Sequence, residues 1–199
     1  MAEFYSEMKS WQGAIGSLLG LIALLLGAFW NFHLNRRRDA ELRSQEAQSI
    51  AAALYVEIIH IRKAVAVLAN RYAHRYSQLG VGRTRREVDD HFVAELKLPE
   101  PTLYNALAAK VGYLPAPLVS AIVRFYSDAY VAEWYLAKMR PDDTRGYTYD
   151  PRHVLDPAKE AVEGITSHLR TMEALLGIAP ADLDLDLRPA DDVIEMQMD

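Results

Sequence analysis

The sequence predicts an all-α protein, in which one N-terminal transmembrane helix continues into the first long helix of a cytoplasmic antiparallel helical bundle. Three observations predict it. Residues 10–35 carry no charged side chain. Three later segments repeat apolar residues in alternating steps of four and three, the spacing of one helix face. No segment sustains the apolar–polar alternation of a strand except the short DLDLDL at 182–187. The expected division is a short extracytoplasmic N-terminus at 1–10, a membrane helix at 11–35, a bundle at 36–177 and an acidic tail at 178–199.

The membrane helix rests on length and on its ends. The uncharged stretch Ser10–Asn35 gives roughly 39 Å of helix at about 1.5 Å per residue. A hydrocarbon core of about 30 Å needs about 20 apolar residues, so it spans with some tilt. Trp11 stands at one end, and Phe29, Trp30 and Phe32 at the other, as interfacial aromatic belts require. A cleaved signal peptide fits worse, because its apolar run is only about 7–15 residues and no Ala-x-Ala-like site follows here. Few soluble helices are apolar on every face for this length.

Orientation follows from charge. Arg36, Arg37 and Arg38 follow the apolar stretch at once, with Arg43 beyond, whereas Lys9 is offset by Glu3 and Glu7. The positive-inside rule sets the arginine side in the cytoplasm and the N-terminus outside. Arginine outnumbers lysine sixteen to six, a bias of GC-rich bacterial genomes, so the expected address is a bacterial inner membrane with one span. Gly13, Gly20 and Gly27 are seven apart, and Gly16-x-x-x-Gly20 is a small-xxx-small pair. These four glycines are the expected packing face for a second membrane helix.

Beyond the arginines, RRRDAELRSQE is polar all round and reads as a stalk. Ala47, Ala51, Leu54, Ile58, Ile61, Val65, Leu68 and Tyr72 then form an unbroken heptad seam. Ile50, Val56, Ile59 and Val67 widen it, which predicts cover on more than one side. A basic loop at 77–87 with two glycines, a short helix Val88–Leu98 and a helix Leu103–Val111 capped by Thr102 come next. Pro117 opens a helix reaching Met139, with Leu118, Ile122, Phe125, Ala129, Ala132, Leu136 and Met139 on one face and Val119, Val123, Tyr126, Tyr130 and Trp134 beside it. After a loop at 140–156, Pro157 opens the last helix, which ends at Leu176 before Gly177.

Charge is polarised. Residues 36–86 carry a net +7 and residues 178–199 a net −6. The basic part attracts anionic lipid. The acidic tail lies solvated, binds a basic partner or folds back on the chain's own basic segment.

Reactive chemistry is sparse. With no cysteine, disulfides, cysteine-ligated metal and thiol catalysis are excluded. Glu57-x-x-His60 has the spacing of a di-iron ligand pair, but such a site needs a second pair, and Glu163 with His168 is misspaced. Asp182, Asp184 and Asp186 lack the glycine and glutamate of a calcium loop. Gly80-Val-Gly82-Arg-Thr lacks the Gly-Lys-Ser/Thr ending of a phosphate loop. No Gly-x-Ser-x-Gly elbow occurs, and His91 sits among Asp89, Asp90 and Glu95 with nothing to single out an acid or base.

Leu98-Pro-Glu-Pro, Leu103-Tyr-Asn105, Gly112-Tyr-Leu-Pro115 and Ile122-Val-Arg-Phe-Tyr126, in that order, resemble a motif series in uncharacterised bacterial single-pass inner-membrane proteins with a cytoplasmic α-helical domain. The resemblance covers about 30 residues and implies architecture, not activity.

The expected function is a membrane-anchored interaction, scaffold or regulatory subunit without catalysis and without cofactor. Its expected partners are the bilayer and either a second copy or a membrane complex, not nucleic acid or a small-molecule substrate. Two alternatives compete: a metal or enzymatic bundle around Glu57, His60 and His168, and an anionic-lipid sensor acting through Arg36–Arg38 and the 83–86 loop.

Overall fold

The computed structural model describes residues 2–79, 88–140 and 149–197, with the side chains of 2–10 and 12–15 set aside. The described residues are helical or irregular, with no strand. Seven helices run in order: α1 (Ala2–Leu79), α2 (Asp90–Glu95), α3 (Thr102–Leu107) followed by a 3-10 segment (Ala108–Tyr113), α4 (Ala116–Lys138), α5 (Arg152–Gly164), α6 (Thr166–Leu176) and α7 (Arg188–Met196). The chain divides into two units, residues 1–46 and 47–199, and α1 contributes to both.

The described residues of the first unit are helical, and their described apolar side chains, Trp11 and those from 18 to 42, are exposed. Leu24 is 73% exposed and Phe29 71%. One stretch near the N-terminus is long and apolar enough to cross a membrane, with mean hydropathy 1.7 and none of it buried.

The second unit is built on the α1 seam. Ala51, Leu54, Ile58, Val65 and Leu68 are fully buried, and Ile61 and Tyr72 nearly so. They join one core with Leu118, Ile122, Phe125 and Leu136 of α4, Leu155 and Val162 of α5, and Leu169 and Met172 of α6. Among α2 to α7, α4 and α5 pack most extensively. Of the four residues expected to widen the seam, Ile50 is buried and Ile59 half-buried, but Val56 and Val67 are exposed. At about 100° per residue they lie some 200° and 220° round from Leu54, on the far side of the helix.

Three expected boundaries are corrected. Thr102 is the first residue of α3, not its cap. Pro157 lies inside α5, which starts five residues earlier behind Asp150 and Pro151; the Arg152 N–H donates to the Asp150 carboxylate at 2.8 Å, a side-chain N-terminal cap. The expected single helix 157–176 is interrupted at Ile165. Gly164 is a weak helix former, and the Val162 carbonyl accepts from the Thr166 hydroxyl and from Arg62. Gly177 ends α6 with φ +64°, while its N–H reaches the Ala174 carbonyl and the Ile178 N–H the Glu173 carbonyl. That paired closure needs the left-handed backbone glycine adopts freely.

The acidic segment folds back on its own chain. Leu183, Leu187, Ala190, Val193 and Ile194 are core residues, while Asp182, Asp184 and Asp186 face outward. The alternation is that of an extended chain with one side buried, without a strand partner. Apolar side chains and backbone carbonyls do most of the joining. Among the described residues, the tail's ion pair to another helix is Lys159 to Asp191 at 2.5 Å.

Candidate functional site

In the first unit, Gly16, Gly20 and Gly27 each open onto empty space. At about 100° per residue the three fall within about 40° of one another, so they make one smooth strip; the side-chain position of Gly13 lies outside the described residues. Arg36, Arg37 and Arg38 are exposed, and the Arg36 guanidinium lies 5.1 Å from the Phe32 ring. The 83–86 loop lies outside the described residues.

Among the described residues of the second unit, three charged side chains are buried, namely Glu57, Arg62 and Glu173. Each ties α1 or α6 to a distant segment. Glu57 accepts hydrogen bonds from the Leu103 N–H at 2.7 Å, the Tyr104 N–H at 2.9 Å and the Tyr126 hydroxyl at 2.7 Å. The carboxylate therefore supplies the N-terminal cap that α3 lacks in its own sequence. Arg62 donates to the Val162 carbonyl at 2.7 Å, the Leu183 carbonyl at 2.6 Å and the Thr166 hydroxyl at 2.9 Å. It fastens the α5–α6 break and the acidic segment to α1.

Glu173 accepts from the Tyr55 hydroxyl at 2.7 Å, the Ala181 N–H at 2.9 Å and Arg170 at 2.8 Å. Burial opposes its ionisation, but these donors and the Arg170 charge outweigh burial and hold its pKa at about 2. Burial and the Glu173 bond push the Tyr55 phenol up to about 12, and burial and the Glu57 bond raise Tyr126. Both phenols are thus hydrogen-bond donors near neutral pH, not bases.

The residues of the metal reading are not gathered. Glu57 is buried under α3, while His60, one turn on, is exposed. His168 instead lines a cavity of about 230 Å³ with Arg124, Asp128 and Glu160. There Arg124 pairs with Glu160 at 2.8 Å and Asp128 at 3.5 Å. Among the described residues no group of three His, Asp or Glu side chains is placed to hold a metal ion. The acids around His91 have local partners: Asp89 accepts from the Phe92 N–H at 2.7 Å, Asp90 pairs with Arg140, and Glu95 lies 3.5 Å from His91. Asp186 is held by Arg188 at 2.6 Å.

One surface feature stands apart. Val123, Tyr130 and Trp134 on α4 are 47%, 66% and 44% exposed. At about 100° per residue they fall within about 40° of one another, opposite the side that α4 buries. The sequence showed the wider stripe, but not that Tyr126 alone of its aromatic members turns inward, to Glu57 and to a stacked Tyr104 ring 4.1 Å away. Comparison with known protein families, curated proteins and solved structures returns no match for this chain.

Proposed function

We propose that the chain is a single-pass membrane protein of the bacterial inner membrane, N-terminus outside, whose cytoplasmic helices form an antiparallel bundle and act as an interaction or regulatory subunit. The observation that carries the interaction reading is the α4 stripe of Val123, Tyr130 and Trp134. Aromatic and β-branched side chains left in water on one helix face mark contact surfaces. The occupant is a helix of a partner protein: a stripe one residue wide, recurring at helical spacing, offers the ridge that a second helix receives between its own side chains. The anchor reading is supported by the exposed apolar stretch of the first unit and by Arg36–Arg38 at its end, which set the orientation and favour anionic headgroups.

Two experiments test the proposal. A photo-reactive residue at 123, 130 or 134 should give one and the same adduct in native membranes. At Arg124, about 100° round the helix, it should give none. Equal yields at all four positions would defeat the contact-face reading. A reporter active only outside the cytoplasmic membrane should be silent after Asp199 and active before Glu3, and the reverse pattern would overturn the orientation.

A further inference from the structure

A second cavity lies on the far part of α1, where Asn70, Arg71, His74, Arg75 and Gln78 line it and Phe92 of α2 forms one wall. We propose that this cavity is a binding site for a phosphate ester, with the phosphate on Arg71 and Arg75 and the organic group against Phe92. The site is separate from the α4 stripe and from Arg36–Arg38, and it stands whether or not those readings hold.

Position comes first. Residues 71, 74, 75 and 78 stand at helical spacing and share one face, so two guanidinium groups and an imidazole converge. Arg75 is the informative one. Its guanidinium lies 4.7 Å from the centroid of the Phe92 ring, which holds it against the aromatic wall of the cavity. Its Nε is buried without a hydrogen-bond partner. A buried guanidinium donor left unpaired is costly, and a fork of N–H groups held in place matches a phosphate's oxygens. The Oδ1 atom of Asn70, another residue of the lining, is buried and unpartnered too.

Among the described residues, the neighbouring acids are engaged elsewhere or hold the pair only weakly. Asp89 caps α2 and Asp90 pairs with Arg140. Glu95 lies 3.7 Å from Arg71, with both side chains about half exposed, a weak pair that a doubly charged group would displace. His74 is held by Gln78 at 2.7 Å. The cavity holds about 350 Å³. That is about a dozen water volumes of about 30 Å³, more than a bare phosphate fills and within the range of small-molecule sites. Phe92 supplies an aromatic wall, so an ester fits better than the free ion. A phospholipid headgroup and a soluble phosphate monoester share this chemistry.

The test is calorimetric titration of the full chain in an uncharged detergent with three probes: inorganic phosphate, phenyl phosphate and a short-chain phosphatidic acid. At least one ester should bind saturably, at one site per chain and at least tenfold more tightly than inorganic phosphate. Binding by phenyl phosphate alone identifies a soluble ligand, and binding by the phosphatidic acid alone a lipid; either supports the site. Arg75→Gln should weaken the ester about tenfold or more. Glu95→Gln, a surface change that releases Arg71, should tighten it about threefold, and it keeps the test valid if the Arg75 variant folds poorly. Absence of saturable binding by every probe would overturn the proposal, as would binding that neither substitution alters.

Discussion

Leu24 and Leu54 sit on the same helix, thirty residues apart, and their surroundings differ completely. Leu24 is 73% exposed and Leu54 fully buried. The difference lies in what stands between the leucines. Around Leu24 the apolar residues are continuous on every face, so no folded face of this chain could cover them all. Around Leu54 the seam residues recur every third or fourth position, three of the neighbours in the run 50–56 are alanines, and Glu57, His60, Lys63 and further polar residues follow, so one packed side takes the seam up. Apolar content alone therefore says little about burial, and its angular distribution says a great deal. The comparison also divides the labour. The first unit presents surface, whereas the second closes a core and holds it with three buried charges.

The sharpest way to break this division is to remove residues 178–199 from the second unit. Leu183, Leu187, Val193 and Ile194 would leave the core, each contributing about 1.5–3 kcal/mol of burial. Their sum rivals the whole stability of a domain, about 5–15 kcal/mol. A fragment 47–177 should lack a cooperative thermal transition, whereas 47–197 should show one and remain monomeric in sedimentation. A folded 47–177 would mean that the tail is an accessory.

The next test is Glu57→Ala, which strands the Leu103 and Tyr104 N–H groups and the Tyr126 hydroxyl. Unpaired buried donors cost about 1–3 kcal/mol each, so a loss of about 3 kcal/mol in urea unfolding is expected, with amide exchange of α3 rising before that of α4. Gly177→Ala follows, at about 1 kcal/mol, because a left-handed backbone with a Cβ is strained; the melting temperature of 47–197 reports it.

The acid response tests the second unit through Glu173. The Glu173 pKa is lowered to about 2 by its donors, so the carboxylate's contribution is full above the unfolded carboxylate range, near pH 4–5, and is lost as pH falls through about 2. The wild-type second unit should lose stability over that interval more steeply than Glu173→Gln. Parallel acid curves would show that Glu173 is not the group responsible. The smallest effect belongs to the first unit: changing Gly16 and Gly20 to Leu should reduce membrane cross-linking between copies a few-fold and leave the unfolding of the second unit unchanged. An equal decrease in both would erase the distinction.

How much of this was legible depended on whether the determinants were local. The α1 seam and the inner face of α4 could be read residue by residue, because helical periodicity is a local property. The start of α5 was legible in Asp150-Pro151, which carries the same acid-then-proline signal that elsewhere marks a first turn, yet Pro157 drew the boundary. The break at Ile165 is set by Arg62, about a hundred residues earlier, and no window around Gly164 contains that information. Glu57 drew attention as half of a metal pair. Its donors come from 46, 47 and 69 residues away, so its capping role could not be seen in spacing. DLDLDL looked solitary because an extended segment without a strand partner shows its purpose only through what its leucines touch. The cavity at Arg75 depends on Phe92 crossing over α1, which is a tertiary fact.

The tie between Tyr55 and Glu173 bridges 118 residues, and this separation sets an order of events during synthesis. At roughly 5–20 residues per second on the ribosome, about 6–24 s pass between the making of the two. Throughout that interval the α1 seam exists without the helices that cover it. The stripe that later becomes the interior thus first meets the cell as an open surface. A slow codon between residues 72 and 118 would prolong that exposure.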